Sequence, residues 1–336
     1  IINGAGMKTL LKKLTETDSP SGYESSIREV IRGEVAPFAS STQVDALGNL
    51  VVTIGKKSEK GLKIMLAAHM DEIGVIVSHV EKNGLVRFSN LGTILPQYLP
   101  AGRVRFLNGV RGVINTDRPD DLHKVMGIEK HFIDVGATSD RDCPLKVGDV
   151  GVFDREFIEL GGRVSAKALD NRSSCAVMIE TMKNIRNTPH ELVFVFSTQE
   201  EVGVRGATTS AYEIEPDLGI ALDVTPVMDI VGVKMQTSLG SGPAIKVRDV
   251  GMISDPRVVR WMEETAKKNR IPCQLEVLDV GSTDARAMQI SKSGMPTGAI
   301  SIPCRYVHSP SEMVDQNDLA KAVTLLTELL NHPIRL

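Results

Sequence analysis

The chain has 336 residues, of which 39 are basic and 42 acidic, so its formal net charge is −3. Neither sign of charge forms a long run, and we therefore expect no nucleic-acid partner. No apolar stretch approaches the roughly 20 residues that span a membrane, so we expect neither a membrane segment nor a secretory signal. The four cysteines lie far apart, which predicts a cytoplasmic protein without disulfides or a structural zinc knuckle.

A chain of this length is long for one core, which favours two domains or one domain with an insert. Residues 7–73 predict the first part of an α/β domain, with two helices followed by strands. Ser21 and Glu24 have the spacing of a capping box, which predicts the start of the second helix. The apolar run at residues 62–68 predicts a buried strand that delivers His69 at its carboxyl end.

Residues 74–162 show a different pattern. Short segments of alternating apolar and polar residues are punctuated by Gly, Asn and Pro, and none has the period of a helix over a helix's length. This pattern predicts a small β-rich domain inserted into the α/β domain.

The α/β pattern returns at residues 163–336. Asp255 followed by Pro256 predicts a helix that begins with a cap and a first-turn proline. Asp318 predicts the start of the final helix. Cys175 has helical spacing with apolar neighbours, and we expect it to pack in the core.

Several predicted strands deliver a histidine or a carboxylate at their carboxyl ends, where ligands bind in open α/β sheets. A further carboxylate precedes a predicted helix. The residues are His69, Glu200, Glu201, Asp223, His308 and, before the helix, Asp170. Taken singly, each is explained by a helix cap, a turn or a satisfied rim position. Together they form the nitrogen and oxygen ligand set of a catalytic metal site, without the cysteines common in closed structural sites.

The number of ligands favours two metal ions. A catalytic zinc takes about three protein ligands and a water, so five ligands with one shared aspartate serve two ions. The sixth carboxylate is left to act as a general base. Adjacent side chains at a strand end point in different directions, which lets Glu200 and Glu201 divide these tasks. The remaining histidines lack this setting and are expected at the surface or rim: His79, His123, His131, His190 and His332.

Five motifs resemble those of the tetrahedral (TET) aminopeptidases. These are the glutamyl and deblocking aminopeptidases of metallopeptidase family 42 in clan MH, some of which were earlier labelled endoglucanases. The motifs occur in the family's order over nearly the whole chain from Met7. They are Ala68-His69-Met70-Asp71, Leu169-Asp170-Asn171-Arg172, Thr198-Gln199-Glu200-Glu201-Val202-Gly203, Leu222-Asp223-Val224-Thr225 and His308-Ser309-Pro310.

The resemblance implies a role for each residue of the set. Asp170 would bridge the two metals. His69 and Asp223 would complete one metal site, and Glu201 and His308 would complete the other. The expected cofactors are two divalent ions per subunit, zinc or cobalt first and manganese as a further option, because ligand type alone does not choose between them.

The resemblance also implies that Glu200 is the general base and that Asp71 orients His69. The implied fold is a mixed, mostly parallel sheet flanked by helices (zinc-aminopeptidase-like) with an inserted β-barrel-like or PDZ-like domain. Residues 7–73 and 163–336 would then form the catalytic domain, and residues 74–162 a dimerisation and assembly domain. Family members often form twelve-subunit tetrahedral shells built from dimers, so we expect a homo-oligomer.

The expected reaction is hydrolysis of the N-terminal residue from peptides by a metal-bridging water that Glu200 activates. One alternative is another metal-dependent amidohydrolase of the superfamily, a deacylase or carboxypeptidase, because the metal chemistry is shared. An endoglucanase needs two carboxylates but no metal, and it leaves His69 and His308 unexplained. A non-enzymatic binding protein leaves the apparent base without a task.

The substrate pocket is predicted to involve a glycine-containing loop and a region that precedes it in sequence. The residues are Arg248, Ser282, Thr283 and Asp284. The glycine suggests close approach of the backbone to substrate, although a plain turn explains it equally well. Arg248 or Arg286 would favour an acidic substrate side chain, or would be a solvated surface charge.

Overall fold

The structure is a computed structural model that describes residues 4–118, 121, 124–227, 229, 237–334 and 336. The helices of this part of the chain are α1 (Gly4–Thr15), α2 (Ser25–Val35), α3 (Leu169–Asn184), α4 (Arg205–Ile214), α5 (Pro256–Lys268), α6 (Asp284–Gln289) and α7 (Gln316–Leu330). The first nine strands are β1 (Ser41–Val44), β2 (Leu50–Ile54), β3 (Lys63–His69), β4 (Gly74–Val80), β5 (Val86–Leu91), β6 (Arg103–Phe106), β7 (Arg111–Thr116), β8 (His131–Asp134) and β9 (Val150–Phe153). The others are β10 (Ile158–Leu160), β11 (Arg163–Ala166), β12 (Glu191–Ser197), β13 (Leu218–Pro226), β14 (Ala244–Arg248), β15 (Gln274–Val277), β16 (Thr297–Arg305) and β17 (Glu312–Asp315).

The larger sheet has the strand order β1-β2-β12-β3-β13-β16-β17-β11-β10, with β14 and β15 attached beside β16. The neighbouring strands β12, β3, β13 and β16 run parallel. The strands outside them, β2 and β17, pair antiparallel with this centre. The sheet is therefore mixed, as the resemblance implied, but it is not mostly parallel, because antiparallel pairings outnumber parallel ones among its described strands.

Helices cover both faces of this sheet, which explains why its central strands read as continuous apolar runs. Successive side chains of β3 point to opposite faces. Ile64 and Leu66 join a core with α1, α2, α3, α5 and α7, whereas Met65 and Ala67 join a core with α4 and α6. Cys175 of α3 is fully buried in the first core, which confirms the prediction from its spacing.

The strands β4 to β9 form a closed barrel in the order β4-β5-β8-β7-β6-β9. Every pairing in it is antiparallel, and the barrel encloses a hydrophobic core of its own. Its strands lie between Gly74 and Phe153, within the segment predicted to be β-rich. The strand β10 also falls in that segment, but it pairs with β11 at the edge of the larger sheet.

The predicted helix starts have different outcomes. Asp255 caps α5 as predicted, because its side chain accepts a hydrogen bond from the backbone N–H of Arg257 at 2.8 Å and Pro256 follows. The prediction of a capping box at the start of α2 is wrong. Glu24 accepts hydrogen bonds from the backbone N–H groups of Gly22 and Gln199 and makes none to α2.

The final helix begins at Gln316, two residues before the predicted start. Asp315 is its cap and accepts a hydrogen bond from the backbone N–H of Asn317. Asp318 is buried and accepts hydrogen bonds from the backbone N–H groups of Gly240 and Gly242, each at 2.7 Å. This aspartate near a helix start therefore binds the backbone of a loop that is distant in sequence, and it does not cap the helix.

The prediction for the histidines outside the ligand set is only partly right. The side chains of His79 and His332 are exposed. His131 and His190 are buried, and each has a backbone partner for Nδ1. His131 contacts the carbonyl of Gly127, and His190 accepts a hydrogen bond from the N–H of Leu62. His123 lies outside the described residues. Among the helices of the described part of the chain, none combines the length and the apolar character needed to cross a bilayer.

Candidate active site

The sheet topology brings the predicted ligands to one edge. His69 is the last residue of β3, and Asp223 lies in β13, the parallel strand beside it. Glu200 and Glu201 follow β12, the strand on the other side of β3. Two further predicted ligands come from chain segments next to these strand ends, and they are Asp170 at the start of α3 and His308 after β16.

The ligand atoms form two clusters that share Asp170. In the first cluster, Nε2 of His69 lies 3.1 Å from Oδ1 of Asp170 and 3.7 Å from Oδ1 of Asp223. In the second, Nε2 of His308 lies 3.3 Å from Oδ2 of Asp170 and 3.5 Å from Oε2 of Glu201. One carboxylate oxygen of Asp170 therefore faces each cluster. This is the arrangement expected of an aspartate that bridges two cations.

The site concentrates negative charge in a buried place. Burial raises the pKa of Glu201 well above its usual value, and the Asp170 carboxylate adds to this effect. Burial likewise raises the pKa of Glu200, against the opposing influence of His69. For His69, burial opposes the charged form, but contacts with Asp170 and Asp223 outweigh it and raise the pKa well above its usual value. Such a group of carboxylates is costly to bury unless cations offset its charge.

A cation fits these residues for two reasons. Each cluster offers a histidine nitrogen and two carboxylates, a donor set that suits divalent zinc, cobalt or manganese. In addition, Oε1 of Glu201 is buried with no hydrogen-bond partner among the described residues. An unsatisfied carboxylate oxygen in a native structure requires an explanation, and an ion provides one.

Asp71 supports the first cluster from behind. It is fully buried, and its Oδ1 lies 3.4 Å from Nδ1 of His69, on the side of the ring away from Asp170. The same carboxylate accepts hydrogen bonds from the backbone N–H groups of Glu200 and Glu201, at 3.1 and 3.2 Å. Asp71 therefore fixes the His69 ring and the backbone of the glutamate pair together, as carboxylates behind metal-binding histidines do.

Glu200 and Glu201 differ in their surroundings. Glu201 takes part in the second cluster and is 4% exposed, whereas Glu200 is 12% exposed and belongs to neither cluster. Oε2 of Glu200 lies 4.0 Å from Nε2 of His69 and faces the cavity. Glu201 thus lies among the candidate ligands, and Glu200 lies beside them.

A cavity of about 620 Å³ opens over both clusters. Ser282, Thr283 and Arg286 line it, together with Thr93 and Leu95, which follow the barrel strand β5. The barrel segment therefore contributes part of the wall above the ligands.

Two residues predicted for the substrate pocket lie elsewhere. Arg248 is not among the lining residues, and its guanidinium pairs at 2.8 Å with the exposed Asp279. Asp284 is buried behind the site, where it accepts a hydrogen bond from Ser197 Oγ and burial raises its pKa to about 7.

Two buried residues with titratable side chains also lie at the site, and no sequence motif pointed to them. Lys246 lines the cavity and pairs with the buried Glu276 at 3.0 Å. Glu312 is 1% exposed and accepts hydrogen bonds from the backbone N–H groups of Asp170 and His308. Burial raises the pKa of Glu312 well above its usual value, and Asp170 contributes to this. Only its place four residues after His308 could have drawn attention to it.

Comparison with known proteins gives a consistent result. The sequence profile of the M42 glutamyl aminopeptidase family matches residues 48–325. A putative aminopeptidase of Acetivibrio thermocellus is 44% identical over 96% of this chain and 98% of its own. The structure of an aminopeptidase from the archaeon Desulfurococcus kamchatkensis superposes with a TM-score of 0.94 at 40% identity, over 98% of this chain and 95% of that one.

A third similar protein is the Pyrococcus horikoshii TET1 peptidase, which can assemble into a tetrahedron or a large octahedral shell. Its TM-score is 0.86 at 34% identity, with 96% of this chain and 99% of that one covered. Fold and sequence are thus shared with aminopeptidases, hydrolases that act on peptide bonds. The chain belongs to the family of M42 glutamyl aminopeptidases.

Proposed function

We propose that the chain removes the N-terminal residue of peptides with the help of two divalent metal ions. His69 and Asp223 would hold one ion, Glu201 and His308 the other, and Asp170 both. The observation that carries this proposal is the position of Asp170, whose two carboxylate oxygens face two different histidines at 3.1 and 3.3 Å.

The protein groups then have distinct tasks in peptide hydrolysis. When bound, the two ions supply Lewis-acid polarisation of the scissile carbonyl and activation of a water. Glu200 lies beside the clusters without belonging to them, and it takes the proton of the attacking water and delivers it to the leaving amine. Burial favours this role, because it raises the pKa of Glu200 towards the range of a proton carrier.

For the substrate pocket we propose Ser282 and Thr283, which line the cavity, in place of Arg248 and Asp284. Ser282 and Thr283 directly precede α6 of the α/β domain, whereas Thr93 and Leu95 belong to the barrel segment, and all four line the same cavity. A substrate side chain would therefore lie between elements of the α/β domain and of the barrel.

We propose that the chain is a homo-oligomer in which dimers build a tetrahedral dodecamer. The support is the similarity to the Pyrococcus horikoshii peptidase, which can assemble into a tetrahedron or a large octahedral shell. Multi-angle light scattering of the purified protein tests the number of subunits, and a dimeric mass would contradict the dodecamer. The cytoplasmic location remains a prediction.

The reaction is tested with protein stripped of metal by a chelator and then reloaded with zinc, cobalt or manganese. Each sample is assayed on peptides with a free amine, an acetylated N-terminus or a blocked C-terminus. An aminopeptidase loses activity on stripping, regains it with metal, and requires the free amine. Cleavage that prefers acetylated peptides would indicate a deacylase, and a need for the free C-terminus would indicate a carboxypeptidase. Full activity after chelation would contradict the metal-dependent proposal, including its use of the two histidines.

A further inference from the structure

We propose that Glu312 is a positioning residue that holds Asp170 and His308 in register with each other. Its Oε2 accepts a hydrogen bond from the backbone N–H of Asp170 at 2.8 Å, and its Oε1 accepts one from the backbone N–H of His308 at 3.0 Å. One buried side chain thus bridges the two chain segments that supply the second cluster.

The two bridged segments belong to different elements of the fold. Asp170 lies at the start of α3, and His308 lies in the loop between β16 and β17. The backbone of His308 has φ of 61°, in the left-handed region that a residue with a side chain adopts only at a cost in free energy. The hydrogen bond that this N–H donates to a fixed acceptor opposes relaxation of the loop and so keeps the imidazole directed at Asp170.

Glu312 itself is held on a rigid element. It is the first residue of β17, which pairs antiparallel with both β11 and β16. Within the described residues, Glu312 belongs to neither ligand cluster. Its carboxylate therefore acts through the backbone of the ligands, because its two oxygens are already directed at the two N–H groups.

The choice of a carboxylate at this position also requires an explanation. A negative charge this close to Asp170 raises the cost of burial, and a neutral side chain would avoid that cost. A neutral glutamine, however, has one acceptor oxygen, and its NH₂ group would face a second N–H donor. Only the carboxylate accepts from both segments, and a nearby divalent cation would offset its charge.

The inference rests on the proposed two-metal function, and Glu312→Gln tests it. We expect this variant to weaken binding at the Asp170–Glu201–His308 cluster about 10- to 100-fold, the usual effect of changing a residue behind a metal ligand. The His69–Asp170–Asp223 cluster should weaken less, because Asp71 supports His69 independently.

Asp318→Asn provides a matched control. Asp318 is equally buried, and its two oxygens also accept from two backbone N–H groups, those of Gly240 and Gly242. Neither glycine belongs to a ligand cluster, so this variant should lower the melting temperature without changing either metal affinity.

The measurement is a calorimetric titration of the chelator-stripped full chain with zinc, repeated with cobalt while the visible spectrum is recorded. Selective loss of one of two binding steps in Glu312→Gln, with both steps intact in Asp318→Asn, is the expected result. If Glu312→Gln does not fold, Glu312→Asp, which keeps the charge but has a shorter reach, should show the same selective loss. Unchanged affinities, or equal losses in the control, would overturn the role of Glu312. A wild-type chain that binds no second ion would overturn the two-metal function itself.

Discussion

The hydroxyl of Ser21 donates a hydrogen bond of 2.6 Å to Oδ2 of Asp71. Ser21 lies in the connection between α1 and α2, and Asp71 lies behind His69 and the backbone of the glutamate pair. The first helical connection of the chain therefore contacts the support of the candidate metal site directly.

We predict that Ser21→Ala weakens metal binding and lowers kcat, because the buried Asp71 carboxylate loses its shortest hydrogen bond. A hydrogen bond to a charged group contributes about 1 to 3 kcal/mol to stability, so the melting temperature should also fall. Ser210→Ala is the control, since its buried hydroxyl contacts Asp45 at 3.4 Å, outside both ligand clusters. Calorimetric unfolding and metal titration of both variants measure these effects. Equal metal affinities in the two variants would refute the prediction.

Glu200→Gln should reduce kcat by about 10²- to 10⁴-fold, because a glutamine cannot carry the proton of the attacking water. Its metal content should stay at the wild-type level, since Glu200 belongs to neither ligand cluster. Glu201→Gln provides the contrast and should lose metal as well as activity. Steady-state kinetics with metal analysis by mass spectrometry separates the two effects. Retention of full activity by Glu200→Gln would exclude it as the base.

Stability without metal should depend on pH with a defined sign. The pKa values of Glu200, Glu201, Glu312, His69 and His308 are all raised in the folded state. Through these five groups the folded protein binds more protons than the unfolded chain, so their contribution to the free energy of unfolding is largest below the unfolded pKa values. It decreases as the pH rises through the folded ones.

We therefore expect the chelator-treated protein to melt at a lower temperature at pH 8 than at pH 6. Zinc should offset the charge of the carboxylates, and its stabilising effect should be larger at pH 8. Differential scanning calorimetry at both pH values, with chelator and with zinc, measures this. A zinc effect that does not grow with pH would contradict the explanation.

A further prediction concerns the charge of the substrate. Arg286 lines the cavity, whereas Arg248 lies outside its wall and pairs with Asp279. Arg286→Ala should lower kcat/KM for peptides with an acidic N-terminal residue about 5-fold relative to neutral ones, the effect of losing one weak ion pair of roughly 1 kcal/mol. Arg248→Ala should leave this ratio unchanged. Equal behaviour of the two variants on paired substrates would show that Arg286 does not select charge.

Most of the metal-ligand candidates could be predicted from the sequence because they lie in or just after buried apolar strands, whereas Asp170 lies at the start of α3. A strand that is apolar along its length can be recognised from its own residues. Neighbouring parallel strands end at the same edge of the sheet, so His69 and Asp223 were expected to lie close together. The same reasoning failed for residues whose partners lie far along the chain. Asp318 has the pattern of a helix cap but binds the loop of Gly240 and Gly242, and nothing local distinguishes these uses. Glu312 was missed for the same reason.

The position of the barrel between β3 and β11 has a consequence for synthesis of the protein. During translation His69 emerges from the ribosome early and is followed by the whole barrel. The segments that carry Asp223 and His308 emerge only much later. The barrel has a core of its own and can fold while the rest is still being made. The two clusters, in contrast, are incomplete until β16 and the following loop have emerged. With the proposed function, peptide hydrolysis therefore has to wait until nearly the whole chain has been synthesised.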